Sequence, residues 1–149
     1  MPIAIASCTF LLVATTVIHY EVLRLLNAGL PMLRIRPRAQ LVFVIVGAFA
    51  AHFLEILLYG FAYYLLATRF GVGQMGDPGT LPFTRCLYFS AETYTTLGYG
   101  DVLPHGDLRL LAGVEALNGM LLIGWTASYT YLSMARFWDG GQDDRRSND

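Results

Sequence analysis

The sequence predicts an all-α integral membrane protein with three transmembrane helices and one shorter helix that enters the membrane without crossing it. Three apolar stretches carry the prediction: Ile3 to about Leu26, Leu41 to about Thr68, and Leu108 to about Trp138. Each is long enough to cross a hydrocarbon core of ~30 Å at about 1.5 Å of rise per residue. Composition agrees, with 55% hydrophobic residues and a mean hydropathy of +0.49, both high for a soluble domain. The third observation is a helical run from Phe83 to Tyr94, too short to span, that leads directly into a glycine-rich stretch.

The first span has no Arg or Lys ahead of it, and Ile18-His19-Tyr20-Glu21 is a poor small-residue cleavage site. A spanning helix over residues 1–30 is therefore preferred to a secretory signal peptide. A break over residues 31–40 follows, with Pro31 and Pro37 as breakers and Arg34, Arg36 and Arg38 as the densest positive cluster. The positive-inside rule makes this a cytoplasmic linker and puts the N-terminus outside. The far end of the second span carries Tyr59, Phe61, Tyr63, Tyr64 and Phe70, which reads as an aromatic belt at the outer interface. The loop over residues 71–81 is glycine-rich, and Thr80 is placed to cap the next helix, with Pro82 in its first turn. Phe83–Tyr94 then reads as a re-entrant helix, tolerated at membrane depth where protein and water surround it. The polar residues 139–149 read as a disordered cytoplasmic tail. Three spans and one re-entrant loop leave the two ends on opposite sides.

The stretch with chemistry is Thr95-Thr96-Leu97-Gly98-Tyr99-Gly100-Asp101. Gly98 and Gly100 admit φ > 0 without a Cβ penalty, so successive carbonyls can face one way along an extended strand. Such carbonyl rings replace the hydration shell of a dehydrated K⁺. The motif resembles the selectivity filter of potassium channels. Residues 41–138 as a whole resemble the pore domain of two-transmembrane channels of the bacterial ion-channel type, with the first span as an additional helix.

The resemblance implies K⁺ held by the carbonyls of Thr96, Leu97, Gly98 and Tyr99, with Gly100 at the outer mouth and no organic cofactor. It implies filter support from Glu92, Asp101, Tyr88 and Phe89, including a hydrogen bond between a protonated Glu92 and Asp101, the alternative being that Glu92 caps or solvates a group in its own subunit. Tyr88 and Phe89 occupy the aromatic cuff. Gly119 matches the inner-helix hinge, although a small residue for close helix packing fits it as well. One strand cannot encircle an ion, so four chains must meet on an axis as a homotetramer in the lipid bilayer. A non-selective cation channel and a non-conducting membrane sensor or regulatory subunit are the alternatives.

Ionisable groups inside the spans need partners, because isolated charge there is costly. Glu115 is expected to hydrogen-bond the back of the short helix. His19, His52 and Glu55 fall at similar depth if the first span runs inward and the second outward. They form either a proton- or divalent-cation-sensing cluster or a hydrogen-bonded helix pair. Cys8 and Cys86 are expected as buried free thiols. A net charge of −1 gives no electrostatic case for nucleic acid. Nothing in the chain resembles a hydrolytic triad, a nucleotide loop, a haem site or a regular arginine ladder.

Overall fold

The computed structural model describes residues 1–30, 37–76 and 79–146, with residues 37–38 and 136–146 as backbone only. Residues 31–36 of the expected arginine-bearing linker, and 147–149 of the tail, lie outside the described residues. The chain is helical: α1 (Pro2–Gly29), α2 (Pro37–Thr68), α3 (Phe83–Tyr94) and α4 (Leu108–Arg146). Three of these are long and apolar enough to cross a membrane. The short helix α3 has the bounds expected of it, but Pro82 itself is its N-cap and no side chain caps it, so Thr80 does not act there. Helix α4 continues to Arg146, past the point where a disordered tail is expected. Extending a formed helix adds one hydrogen bond per residue fixed, which makes continuation far cheaper than nucleation.

Helices α1 and α4 run parallel. Contacts along them advance together: the N-terminal ammonium against Asp107, Thr15 against Asn118, and His19 against Thr126. Helix α2 runs back between their ends, and α3 is gripped by α2 and α4. Two glycines set how close that grip is. A Cβ on Gly60 would stand 3.0 Å from the Leu87 backbone, and one on Gly119 would stand 2.2 Å from the Tyr94 carbonyl oxygen. Small residues at such crossings let helix backbones approach and gain dispersion contact, the main packing force when lipid is the solvent.

The core is the face of α2 that meets α3 and α4. It contains Tyr59, Tyr63, Leu66, Cys86, Phe89, Tyr94, Leu108 and Leu111, with Cys8 and Leu11 of α1 beside them. Both cysteines are buried free thiols. This corrects the aromatic belt: Tyr59 and Tyr63 are fully buried against α3 and α4, while Phe61 and Phe70 are exposed. Their spacing of four residues puts both tyrosines on one face of α2, and that face belongs to protein. Elsewhere the long helices expose large apolar side chains, among them Phe10, Val46, Phe49 and Leu121. In water such a surface would be an aggregation liability; in a bilayer it is the solvent-facing side.

The two segments flanking α3 are laced together at one end of the bundle. His105 donates its amide to the Gln74 carbonyl at 2.8 Å, Gly76 donates to Leu103 at 3.0 Å, and Asp107 donates to Val72 at 3.3 Å. These bonds fix where the chain enters α4, and so hold the residues that follow the 95–101 segment.

Candidate functional site

The 95–101 segment alternates in backbone handedness. Thr96, Gly98 and Gly100 have φ of 59°, 58° and 78°, and the residues between them are not in the positive region. Alternation of this kind turns successive carbonyls to the same side. At Gly98 and Gly100 it is free of steric cost. At Thr96, a β-branched residue, it costs of order 1–3 kcal/mol and must be enforced by its surroundings.

The enforcement comes from the end of α3. Thr95 donates its amide to the Ala91 carbonyl at 3.2 Å, and Thr96 donates to the Thr93 carbonyl at 3.0 Å. The Glu92 carbonyl then accepts from both Leu97 (2.8 Å) and Gly98 (3.2 Å), and Glu92 Oε2 accepts from the Tyr99 amide at 3.2 Å. One residue thus holds three consecutive amides, two through its backbone and one through its carboxyl. Each such hydrogen bond contributes about 0.5–1.5 kcal/mol, so the three bonds held by Glu92 are together of the same order as the strain at Thr96. With five amides turned to the helix end, the opposite edge of the strand carries the carbonyls. Among the described residues no backbone hydrogen bond ends on a carbonyl of residues 96–100.

Glu92 and Asp101 do not bond each other. Glu92 is committed to the Tyr99 amide, and Asp101 Oδ1 accepts from the Tyr88 hydroxyl at 3.3 Å. The expected carboxyl–carboxyl hydrogen bond is therefore replaced by one bond from each carboxyl to a different donor, because a backbone amide lies within Glu92's reach. Burial pushes the Glu92 carboxyl above the ordinary glutamate range, the Tyr99 amide lowers it again in part, and the nearby Asp101 charge raises it. Phe89 is buried edge-on against Tyr63 of α2, with ring centroids 5.1 Å apart. It braces α3 from behind, whereas Tyr88 reaches toward the segment. Leu97 and Tyr99 are exposed, at 57% and 69%, so nothing within one chain covers them.

Behind α3, Glu115 Oε2 accepts from the Tyr63 hydroxyl at 2.6 Å and Oε1 accepts from the Ser90 hydroxyl at 2.5 Å, which also lies 2.9 Å from the Ile56 carbonyl. Glu115 thus bonds the back of the short helix, as expected. Gly119 sits against the last residue of α3, Tyr94. His19, His52 and Glu55 come together, joined by two residues that sequence reasoning missed, Tyr94 and Thr126. Asn118 bonds neighbouring helices, donating to Thr15 Oγ1 (2.7 Å) and to the Tyr59 hydroxyl (3.2 Å), and so ties α1 to α2 and α4. The signal available for these was a polar tip isolated in an apolar run, which needs a partner at membrane depth.

A family model described as "Ion channel" matches residues 51–134, which takes in most of α2, all of α3 and the 95–101 segment, and most of α4. An inward rectifier potassium channel, Kirbac3.1 of Paramagnetospirillum magnetotacticum, is 42% identical over 60 residues. That stretch is 40% of this chain and 20% of the relative, so the similarity spans about a fifth of the relative's length. No solved structure matches. With a family match over more than half of its length, and three helices able to cross a membrane, the chain is a multi-pass integral membrane protein belonging to the two-transmembrane-type ion-channel family.

Proposed function

We propose that the chain forms a homotetrameric, potassium-selective channel in which dehydrated K⁺ passes along the carbonyls of Thr96, Leu97, Gly98 and Tyr99, with Gly100 at the outer mouth. The observation that carries this reading is the alternating backbone of residues 96–100, with the amides of residues 95–99 all turned to the end of α3. A strand held in this way presents a row of carbonyls on one edge, and a row of carbonyls is a cation site only when other rows face it. Four copies around an axis provide them, and the exposure of Leu97 and Tyr99 in a single chain supports burial by neighbours. The likeness to a potassium channel over 60 residues supports K⁺ as the permeant ion. The end of α3 points at the strand, so its partial negative charge favours a cation there. The N-terminus and the loop after the filter lie at one end of the bundle. With the arginine-bearing linker cytoplasmic, that end is the outer one.

Flux from liposomes reconstituted with the purified chain tests the reading. K⁺ and Rb⁺ are expected to pass, Na⁺ to be excluded, and Ba²⁺ to block. Equal passage of Na⁺ would make the pore non-selective, and an absence of flux in either gradient would favour a non-conducting subunit.

A further inference from the structure

The four helices share one buried polar cluster that the filter does not use. The carboxylate of Glu55 (α2) lies between two imidazoles, with Oε1 3.0 Å from His19 Nδ1 (α1) and Oε2 3.2 Å from His52 Nδ1 (α2). The Tyr94 hydroxyl, at the end of α3, lies 2.9 Å from His52 Nδ1 and donates to Glu55 Oε2. On the far side of both rings a single atom, Thr126 Oγ1 (α4), lies 2.9 Å from His52 Nε2 and 3.1 Å from His19 Nε2. Both Nδ1 atoms thus face one carboxylate, and both Nε2 atoms face one hydroxyl.

The supply of hydrogens sets this cluster apart. Each neutral imidazole carries one N–H, and the threonine and tyrosine carry one O–H each. Four hydrogens must therefore serve the six close contacts of the cluster. His52 Nδ1 faces two oxygens at once, and even when its one hydrogen is shared between them, one of the six contacts is left without a hydrogen. Lone pairs converging on one buried point call for a positive centre among them.

We propose that His19 Nδ1, His52 Nδ1 and Glu55, with the Tyr94 oxygen as fourth donor, form a binding site for a first-row divalent cation, Zn²⁺ foremost. Two imidazoles and one carboxylate are a recognised zinc donor set, and tetrahedral bonds of 2.0–2.1 Å separate ligand atoms by about 3.3 Å. The contacts among these four residues are 2.9–3.2 Å where measured between nitrogen and oxygen, and the ligand atoms of His19, His52 and Glu55 all lie within 4.8 Å of one another. Little rearrangement separates the cluster from a closed coordination shell. When metal occupies both Nδ1 positions, both Nε2 atoms must carry hydrogen, and the two lone pairs of Thr126 Oγ1 accept both. Outer hydrogen bonds of this kind fix the tautomer and aim of metal-bound histidines. The excess positive charge is met by Glu55 and by the C-terminal end of α3, where Tyr94 sits. His52, with 16% of its side chain exposed, is the most accessible of the three metal-ligating residues. Because Tyr94 immediately precedes the 95–101 segment, the ion would tie α1, α2 and α4 to the base of that strand.

Binding is measured on the full chain in detergent, independently of conduction. Co²⁺ serves as a spectroscopic probe, Zn²⁺ as its competitor, and retained helical ellipticity and elution volume as the folding control. The expected result is one Co²⁺ per chain with the intense visible absorption of four-coordination, displaced by Zn²⁺. The band is lost in His52→Gln and Glu55→Gln and unchanged in His105→Gln, which removes the chain's remaining histidine. Thr126→Val weakens Zn²⁺ binding by about 10–100-fold. Zn K-edge absorption on the unmodified chain needs no variant and is expected to report two imidazoles. The proposal is overturned by no stoichiometric Co²⁺, which would leave a shared proton as the occupant, by binding that survives His52→Gln or fails in His105→Gln, or by fewer than two imidazoles at the zinc edge.

Discussion

Replacing Gly119 by alanine separates packing from bending as the role of that residue. The added Cβ would lie 2.2 Å from the Tyr94 carbonyl oxygen and 3.0 Å from both the Tyr94 carbonyl carbon and its ring Cγ. The 2.2 Å contact is more than 1 Å inside ordinary van der Waals separation, and the atom it strikes is backbone at the end of α3, next to the hydrogen-bonded 95–101 segment. Neither helix can yield locally, so α4 must move away from α3. Overpacking of this kind costs about 1–3 kcal/mol, set against a gain of up to about 1 kcal/mol in helix propensity. At roughly 2–4 °C per kcal/mol for a chain of this size, thermal unfolding in detergent should fall by a few degrees. Gly124→Ala is the paired control: a Cβ there meets nothing within 4 Å in the chain, so it should be neutral or stabilising. If Gly119→Ala leaves the transition where it was and alters only channel opening, the packing argument is wrong and the residue is a hinge.

Glu115→Gln should cost under about 1 kcal/mol, because the amide still accepts from Tyr63 and can donate to Ser90, which turns its own hydrogen to the Ile56 carbonyl. Glu115→Ala should cost about 1–3 kcal/mol from the stranded Tyr63 hydroxyl alone, and thermal denaturation of the two variants side by side checks the difference. For Glu92, whose carboxyl sits above the ordinary glutamate range, the folded state prefers the protonated form. The stabilisation it gives is present below the unfolded glutamate pKa and is lost as pH rises through the raised value. Filter stability, read as the rate at which flux decays, should therefore fall with rising pH above the usual glutamate range, and Glu92→Gln should flatten the profile while keeping an acceptor for the Tyr99 amide. Asn118→Leu should loosen α1 by removing the hydrogen bond from Asn118 to Thr15 that ties it to α4, at about 0.5–1.5 kcal/mol, and faster hydrogen exchange along α1 would report it.

Much of this architecture is legible in the residues, and the illegible parts have specific causes. Apolar length fixes the three spans, and the run Phe83–Tyr94 is found with the bounds read from it because Pro82 and the following glycine-rich stretch bracket it. The positive φ at Gly98 and Gly100 follows from the missing Cβ. That at Thr96 does not, since a β-branched residue adopts it only when neighbouring hydrogen bonds compel it. The meeting of His19 with His52 and Glu55 follows from helix rise and antiparallel travel. The addition of Tyr94 and Thr126 could not be read, because depth along two helices says nothing of which face two others present. Tyr59 and Tyr63 mislead for a related reason: a helix apolar all round gives no periodicity to tell lipid from core. Glu92 and Asp101 are close in sequence to the same strand, but only the tertiary path of residues 97–99 shows that an amide takes the Glu92 carboxyl first.

The most direct test of the channel account is a cryo-electron-microscopy map of the purified protein in K⁺. The account predicts four chains around one axis, with residues 96–100 facing it and a column of ion density between their carbonyls that thins when K⁺ is replaced by Na⁺. A monomer, or an assembly in which those strands face away from the axis or enclose no density, would contradict it.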